Sequence, residues 1–205
     1  MLTNLPNLLT LSRILVIPPI VALFFVDGDM ARWITLGLYA AACVTDFFDG
    51  YVARSRGQIS KLGRFLDPVA DKLLVASVIL MLVATGRISG LVVLPALIIL
   101  IREILVSGLR EHLASIAVGV PVSRLAKWKT MIQMISLGFL IVHDASPFWI
   151  PSVWIGEIGV WAAALLTLIT GYDYLRAGLG HLTADPEPRP TSDKVKPVGT
   201  ARNLG

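Results

Sequence analysis

Charge is scarce in this chain. Asp, Glu, Lys and Arg make up only 16% of its 205 residues, against roughly 25% in an average soluble domain. Cysteine occurs once, at Cys43 within an apolar run, which excludes an internal disulfide and a thiolate metal site. His112 and His143 lack metal-ligand spacing. The net charge is only +4, and no basic face interleaved with aromatics is evident, so nucleic-acid binding is not expected. The N-terminus has neither a basic n-region nor a small-residue cleavage site, so the first apolar run is expected to be retained. What the chain does have is hydrophobicity: 55% apolar residues and a mean hydropathy of +0.74. That composition predicts a polytopic membrane protein, and its short loops leave no room for a second domain.

Residues 1–12 carry Pro6, Asn7, Thr10 and Ser12 among leucines and read as a short interfacial segment. Arg13 then precedes a first span containing Pro18 and Pro19, which a membrane helix tolerates where neighbours satisfy the freed carbonyls. The apolar run from Trp33 to Thr45 is too short alone: it rises only ~20 Å against a ~30 Å hydrocarbon core. Extending it through Asp46, Asp49 and Val52 gives a full second span. The third run, from Leu73, has the same deficit, which starting at Pro68 removes. Both ends of the 54–66 loop therefore lie at one membrane face. Further spans are expected over roughly 90–110, 126–143 and 153–175. The proline-rich, charged stretch after His181 reads as a disordered tail.

Six spans bring both termini to one side. Loops on that side hold Arg54, Arg56, Lys61, Arg64, Arg110, Arg124, Lys127 and Lys129, whereas the opposite loops hold only Arg32 and Arg87. The positive-inside rule makes the richer side cytoplasmic. The expected architecture is an all-α bundle of six transmembrane helices, with residues 1–180 as the membrane domain and 181–205 as the tail. Trp149 and Trp154 read as an interfacial belt on the outer face.

The stretch from Asp46 to Asp71, DFFDGYVARSRGQISKLGRFLDPVAD, carries the chemistry. Asp46 and Asp49 are spaced i,i+3 and Asp67 and Asp71 i,i+4, so each pair lies on one helix face. Carboxylates at the edge of a bilayer are costly unless they hold a cation or meet a partner. Four of them suit hard cations such as Mg²⁺ or Mn²⁺, and two such ions can neutralise a diphosphate during its displacement. Gly50 and Ala53 leave room for a ligand, and Arg54 can reach a phosphate as a planar fork. Plainer readings stand beside these. Asp67 before Pro68 is also a good helix N-cap, Asp46 and Asp49 could pair with Arg54 and Arg64, and small residues could serve helix packing. Arg102 and Glu103 read as an intramembrane ion pair.

The spacing D46-x2-D49-G50-x2-A53-R54-x8-G63-x3-D67-x3-D71 resembles, at every fixed position, the signature of the CDP-alcohol phosphatidyltransferases. The opening PNLLTLSR, the segment REILVSGLREHLA (102–114) and AKWKT (126–130) are similar to the phosphatidylglycerophosphate synthase branch. Ala126 is a departure, small for small, where relatives often have glycine. The resemblance implies transfer of a phosphatidyl group from CDP-diacylglycerol to sn-glycerol 3-phosphate, with release of CMP. It implies two divalent ions, Mg²⁺ or Mn²⁺, with Asp46 and Asp67 shared between them, Asp49 on the first and Asp71 on the second. Asp71 also matches the general base. Asn7, Thr10, Gly50, Arg54 and Ser60 match head-group contacts, and Ala53 and Gly63 match small positions beside the nucleotide. The acceptor's phosphate calls for a basic pocket, with Arg110, Lys127 and Lys129 as candidates. Membrane lipids and, as relatives suggest, a second copy of the chain are the expected partners, in a bacterial-type inner membrane. Other acceptors (phosphatidylglycerol, inositol phosphate, serine) are the close alternative. A prenyltransferase would show adjacent aspartates, which do not occur, and a small transporter would place its carboxylates at the midplane.

Overall fold

Long apolar runs with few breakers become helices once every backbone group must be satisfied within its own segment. The computed structural model describes residues 5–56, 61–115 and 124–183. These form α1 (Leu5–Leu23), α2 (Asp29–Arg56), α3 (Lys61–Ala84), α4 (Val93–Ser115), α5 (Arg124–Val142) and α6 (Ser152–Thr183), with 3-10 turns at Gly90–Val92 and His143–Ala145. No strand occurs among the described residues. Chain reversals use glycine where it is needed: Gly28 and Gly86 adopt φ of 111° and 72°, which a Cβ would resist. Asp29 then opens α2, where a negative charge suits the helix N-terminus.

Contacts at both ends show that successive helices alternate in direction. At one end, Arg13 of α1 meets Asp46 of α2 and Asp71 of α3, while Lys129 of α5 meets Glu103 of α4. At the other end, Trp33 of α2 donates to the carbonyl of Ala145, and Arg87 after α3 donates to that of Ile141 in α5. The Arg87 guanidinium also lies 4.9 Å from the ring of Phe24, just past α1. Between the ends runs a core that includes Ile20, Tyr39, Val78, Leu82, Ile99, Leu137, Ile141 and Val160. α6 packs against α5 through glycines. A Cβ at Gly156 would stand 2.5 Å from Leu140 Cγ, and one at Gly159 would collide with Ser136. Such small-residue contacts let backbones approach where lipid removes the hydrophobic drive.

The outward surface is apolar. Leu15, Leu80, Ile104, Ile158 and Leu165 are each between 62% and 66% exposed, far more than a soluble monomer presents. Residues 90–111, 125–145 and 152–176 are long and apolar enough to cross a membrane, and Leu8–Leu23 forms a shorter apolar stretch. This is the exterior of an integral membrane protein.

Three boundaries differ from the sequence reading. α1 is continuous from Leu5, so the expected interfacial segment forms its first turns. α3 begins at Lys61, with Pro68 inside it, so Asp67 is an interior helical residue and its capping role falls. Proline removes one backbone bond, to the carbonyl four residues earlier, and the helix absorbs that loss. α6 continues to Thr183, past the expected end of the sixth span near 175, because no proline intervenes before Pro186. The remainder of the expected tail lies outside the described residues.

Candidate active site

The site is built from α1 outward. Thr10 and Arg13 are spaced i,i+3 and so share a helix face. Both are buried, Arg13 with only 1% of its surface exposed. A guanidinium at that depth must be paired, because desolvating an isolated charge is prohibitive. Its partners come from the next two helices. Nη1 lies 2.5 Å from Asp46 Oδ1 near the end of α2 and 2.6 Å from Asp71 Oδ1 in α3, and Nη2 lies 3.9 Å from Asp67 Oδ1. Thr10 Oγ1 donates to Asp67 Oδ1. Three carboxylates expected from the signature thus converge on one arginine that the sequence reading passed over. The plainer alternative, pairing with Arg54 or Arg64, is not needed to explain Asp46, which uses Arg13; the side chains of Arg54 and Arg64 lie outside the described residues.

Charge and exposure are unevenly divided. The aspartate side chains remain 32% (Asp46), 44% (Asp71) and 46% (Asp67) exposed, while the arginine beneath them is closed off. Among the described residues, three carboxylates meet one guanidinium and turn oxygen donors outward. That is the donor chemistry of a hard divalent cation. As they stand, the described residues close no three-ligand metal shell; Asp46 and Asp71 each spend an oxygen on Arg13. The backbone of Asp49, Gly50, Ala53 and Arg54 belongs to α2 and that of Gly63 to α3. Their side chains, that of Asn7 and the whole of Ser60 lie outside the described residues.

A second polar cluster lies at the same end of the bundle. Lys129 is buried and ion-paired to Glu103, so Lys129 rather than Arg102 is the nearer partner of that carboxylate. Arg102 Nη1 stands 3.8 Å from Glu103 Oε1, while its Nη2 donates to Thr170 Oγ1 at 3.0 Å. Gly171 makes room for this arginine, since a Cβ there would stand 3.1 Å from Arg102 Cγ. Of the other acceptor candidates, Arg110 and Lys127 are exposed on α4 and α5.

Arg13 was missed because an arginine ahead of an apolar run reads as a flanking residue. The available signal was its place within PNLLTLSR, three residues after Thr10, at the end of the molecule that gathers the carboxylates.

The family model of CDP-alcohol phosphatidyltransferase matches residues 3–169. The chain is similar to the CDP-diacylglycerol–glycerol-3-phosphate 3-phosphatidyltransferase of Rickettsia typhi, 49% identical over 174 residues, covering 85% of this chain and 96% of that protein. The enzyme of the same name from Salmonella choleraesuis is 39% identical over 184 residues, with 87% and 97% covered. That from Cereibacter sphaeroides is 35% identical over 217 residues, again with 87% and 97% covered. With a family match running from the opening of α1 into α6, the chain belongs to the CDP-alcohol phosphatidyltransferase family.

Proposed function

We propose that this protein transfers the phosphatidyl group of CDP-diacylglycerol to sn-glycerol 3-phosphate, giving phosphatidylglycerophosphate and CMP. The observation that carries the reading is the convergence of Asp46, Asp67 and Asp71 on one buried cation, in a chain whose relatives bear that activity in their names.

Enzymes of this family generally use divalent metal ions, and the half-exposed, oxygen-only donor set fits them. Asp46, Asp49, Asp67 and Asp71 would hold Mg²⁺ or Mn²⁺, two ions with Asp46 and Asp67 shared. When bound, such ions neutralise the diphosphate and polarise its phosphorus–oxygen bonds. The protein's own part is orientation and proton transfer. Thr10 and Arg13 fix the carboxylates from α1. A hydroxyl oxygen of the acceptor attacks the lipid-linked phosphorus, the new P–O bond forms as the bond to the CMP phosphate breaks, and CMP leaves with the electron pair. Asp71 takes the hydroxyl proton. Asn7, Thr10, Gly50, Ala53, Arg54, Ser60 and Gly63 serve the CDP-diacylglycerol head group. Arg110 and Lys127, exposed at the same end, take the acceptor's phosphate; Lys129 joins them where Glu103 yields it.

The alternation of six helices and the basic residues at the aspartate end support six membrane spans, with that end and both termini in the cytoplasm. Residues 1–180 form the catalytic domain and the tail stands outside it.

The direct assay uses purified protein, Mg²⁺, CDP-diacylglycerol and labelled glycerol 3-phosphate. CMP and labelled phosphatidylglycerophosphate should appear together, and Asp67→Asn should reduce turnover by about a hundredfold or more, the scale of losing a transition-state interaction worth ~3 kcal/mol. No CMP, or release indifferent to Asp67→Asn, would overturn the reading. Faster CMP release with phosphatidylglycerol, inositol phosphate or serine would instead reassign the acceptor.

A further inference from the structure

The acceptor's phosphate and its attacking hydroxyl are joined by a short carbon chain, so the phosphate must be held within a side chain's reach of Asp71. The basic candidates named so far sit on α4 and α5, and one of them, Lys129, is ion-paired to Glu103. α3 itself carries another cation beside the carboxylates. Lys72 follows Asp71 and so points about 100° around the helix from it. Helical side chains lean toward the N-terminus, and Lys72 does: its Nζ donates to the carbonyl of Pro68 at 2.7 Å, one turn nearer the opening of α3. The charges around it are Glu111, Arg110 and Glu103 of α4 and Asp71 of its own helix. Lys72 therefore stands between the carboxylate face and the basic end of α4. Both of these α4 carboxylates are otherwise engaged, Glu103 by Lys129 and Glu111 by the Ser107 hydroxyl at 3.2 Å. Among the described residues the ammonium's one hydrogen bond is that to Pro68, and two of its three donors are left for a ligand. The side chain is half-buried, where an ionic contact is stronger than in open water.

We propose that Lys72 is a specificity-determining residue of the transfer: with Arg110 it takes the acceptor's phosphate and so places the hydroxyl at Asp71. The inference rests on the reading of the acceptor as glycerol 3-phosphate. An ammonium suits this place because it is a compact charge on a flexible stem, with donors that turn to meet phosphate oxygens. A phosphate-bearing alcohol gains a charge-assisted bond there, and a neutral alcohol gains none. The lysine touches the acceptor and not the CDP-diacylglycerol head group, so its loss falls on one substrate alone.

The test is steady-state CMP release by the full-length protein in nanodiscs with Mg²⁺, varying each substrate in turn. Lys72→Gln should raise KM for glycerol 3-phosphate about tenfold or more, the scale of one charge-assisted hydrogen bond. KM for CDP-diacylglycerol should stay within about twofold of wild type. Inorganic phosphate, competing with the acceptor, should inhibit Lys72→Gln more weakly by a similar factor. Lys72→Arg, which keeps the charge, should recover most of the affinity. An unchanged KM for glycerol 3-phosphate, an equal rise for both substrates, a loss confined to kcat, or undiminished inhibition by phosphate overturns the proposal. Each of these would assign the lysine to the helix or to the carboxylates instead. Should Lys72→Gln not fold, as judged by thermal unfolding, Lys72→Met keeps the apolar stem and decides by the same comparisons. Failure of the underlying reading looks different: wild-type CMP release would not respond to glycerol 3-phosphate at all.

Discussion

At the scale of single residues, the site is governed by two side chains of α1. Thr10 donates to Asp67, and Arg13 bridges Asp46 and Asp71. A hydrogen bond to a charged acceptor contributes about 1.5–3 kcal/mol. Thr10→Val, which keeps the volume and removes the donor, is therefore expected to lower kcat/KM by roughly tenfold to a hundredfold, while Thr10→Ser retains most of it. Equal rates for the two variants in the CMP-release assay would show that the hydroxyl does not orient Asp67. The aspartates were legible from sequence because spacing alone places each pair on a face and span length places both faces at one end. Arg13 was not, because a charge at a span's edge is indistinguishable by sequence from one that turns toward the head groups. The burial of Lys129 against Glu103 was hidden for the same reason: a lysine near a helix end is expected to reach water.

At the scale of elements, helix existence followed from apolar run length, and helix ends did not. Pro68 suggested a start, yet α3 begins at Lys61, since one lost backbone bond does not outweigh the cost of exposing a helix end in an apolar medium. The pairing of α5 with α6 uses glycine at its closest approach. Gly159 lies where any Cβ would collide with Ser136, and Gly156 where one would press on Leu140. Overpacking a close contact typically costs 1–3 kcal/mol. Gly159→Val should lower the thermal midpoint measurably and reduce activity by loss of folded protein, leaving KM for the acceptor unchanged in the fraction that remains folded. A midpoint equal to wild type would mean that α6 can shift away from α5 without cost.

At the scale of the whole molecule, the two ends of the bundle differ in kind. One gathers the carboxylates, Glu103, Lys129, Arg110 and Lys127; the other carries Arg32 and Arg87 among tryptophans and loop carbonyls. Replacing Cys43 and placing single cysteines at Arg56 and Phe148 should yield labelling of the first only from the cytoplasmic side of inverted vesicles, and of the second only from the opposite side. Labelling of both from one side would refute an antiparallel six-span arrangement. The ties at the end away from the carboxylates, where Arg87 joins the carbonyl of Ile141 and the ring of Phe24 while Trp33 reaches Ala145, have a mechanical corollary when set beside those of Arg13 and Lys129 at the other. The bundle is hooped at both rims, like the staves of a cask, so neither tip is free to splay.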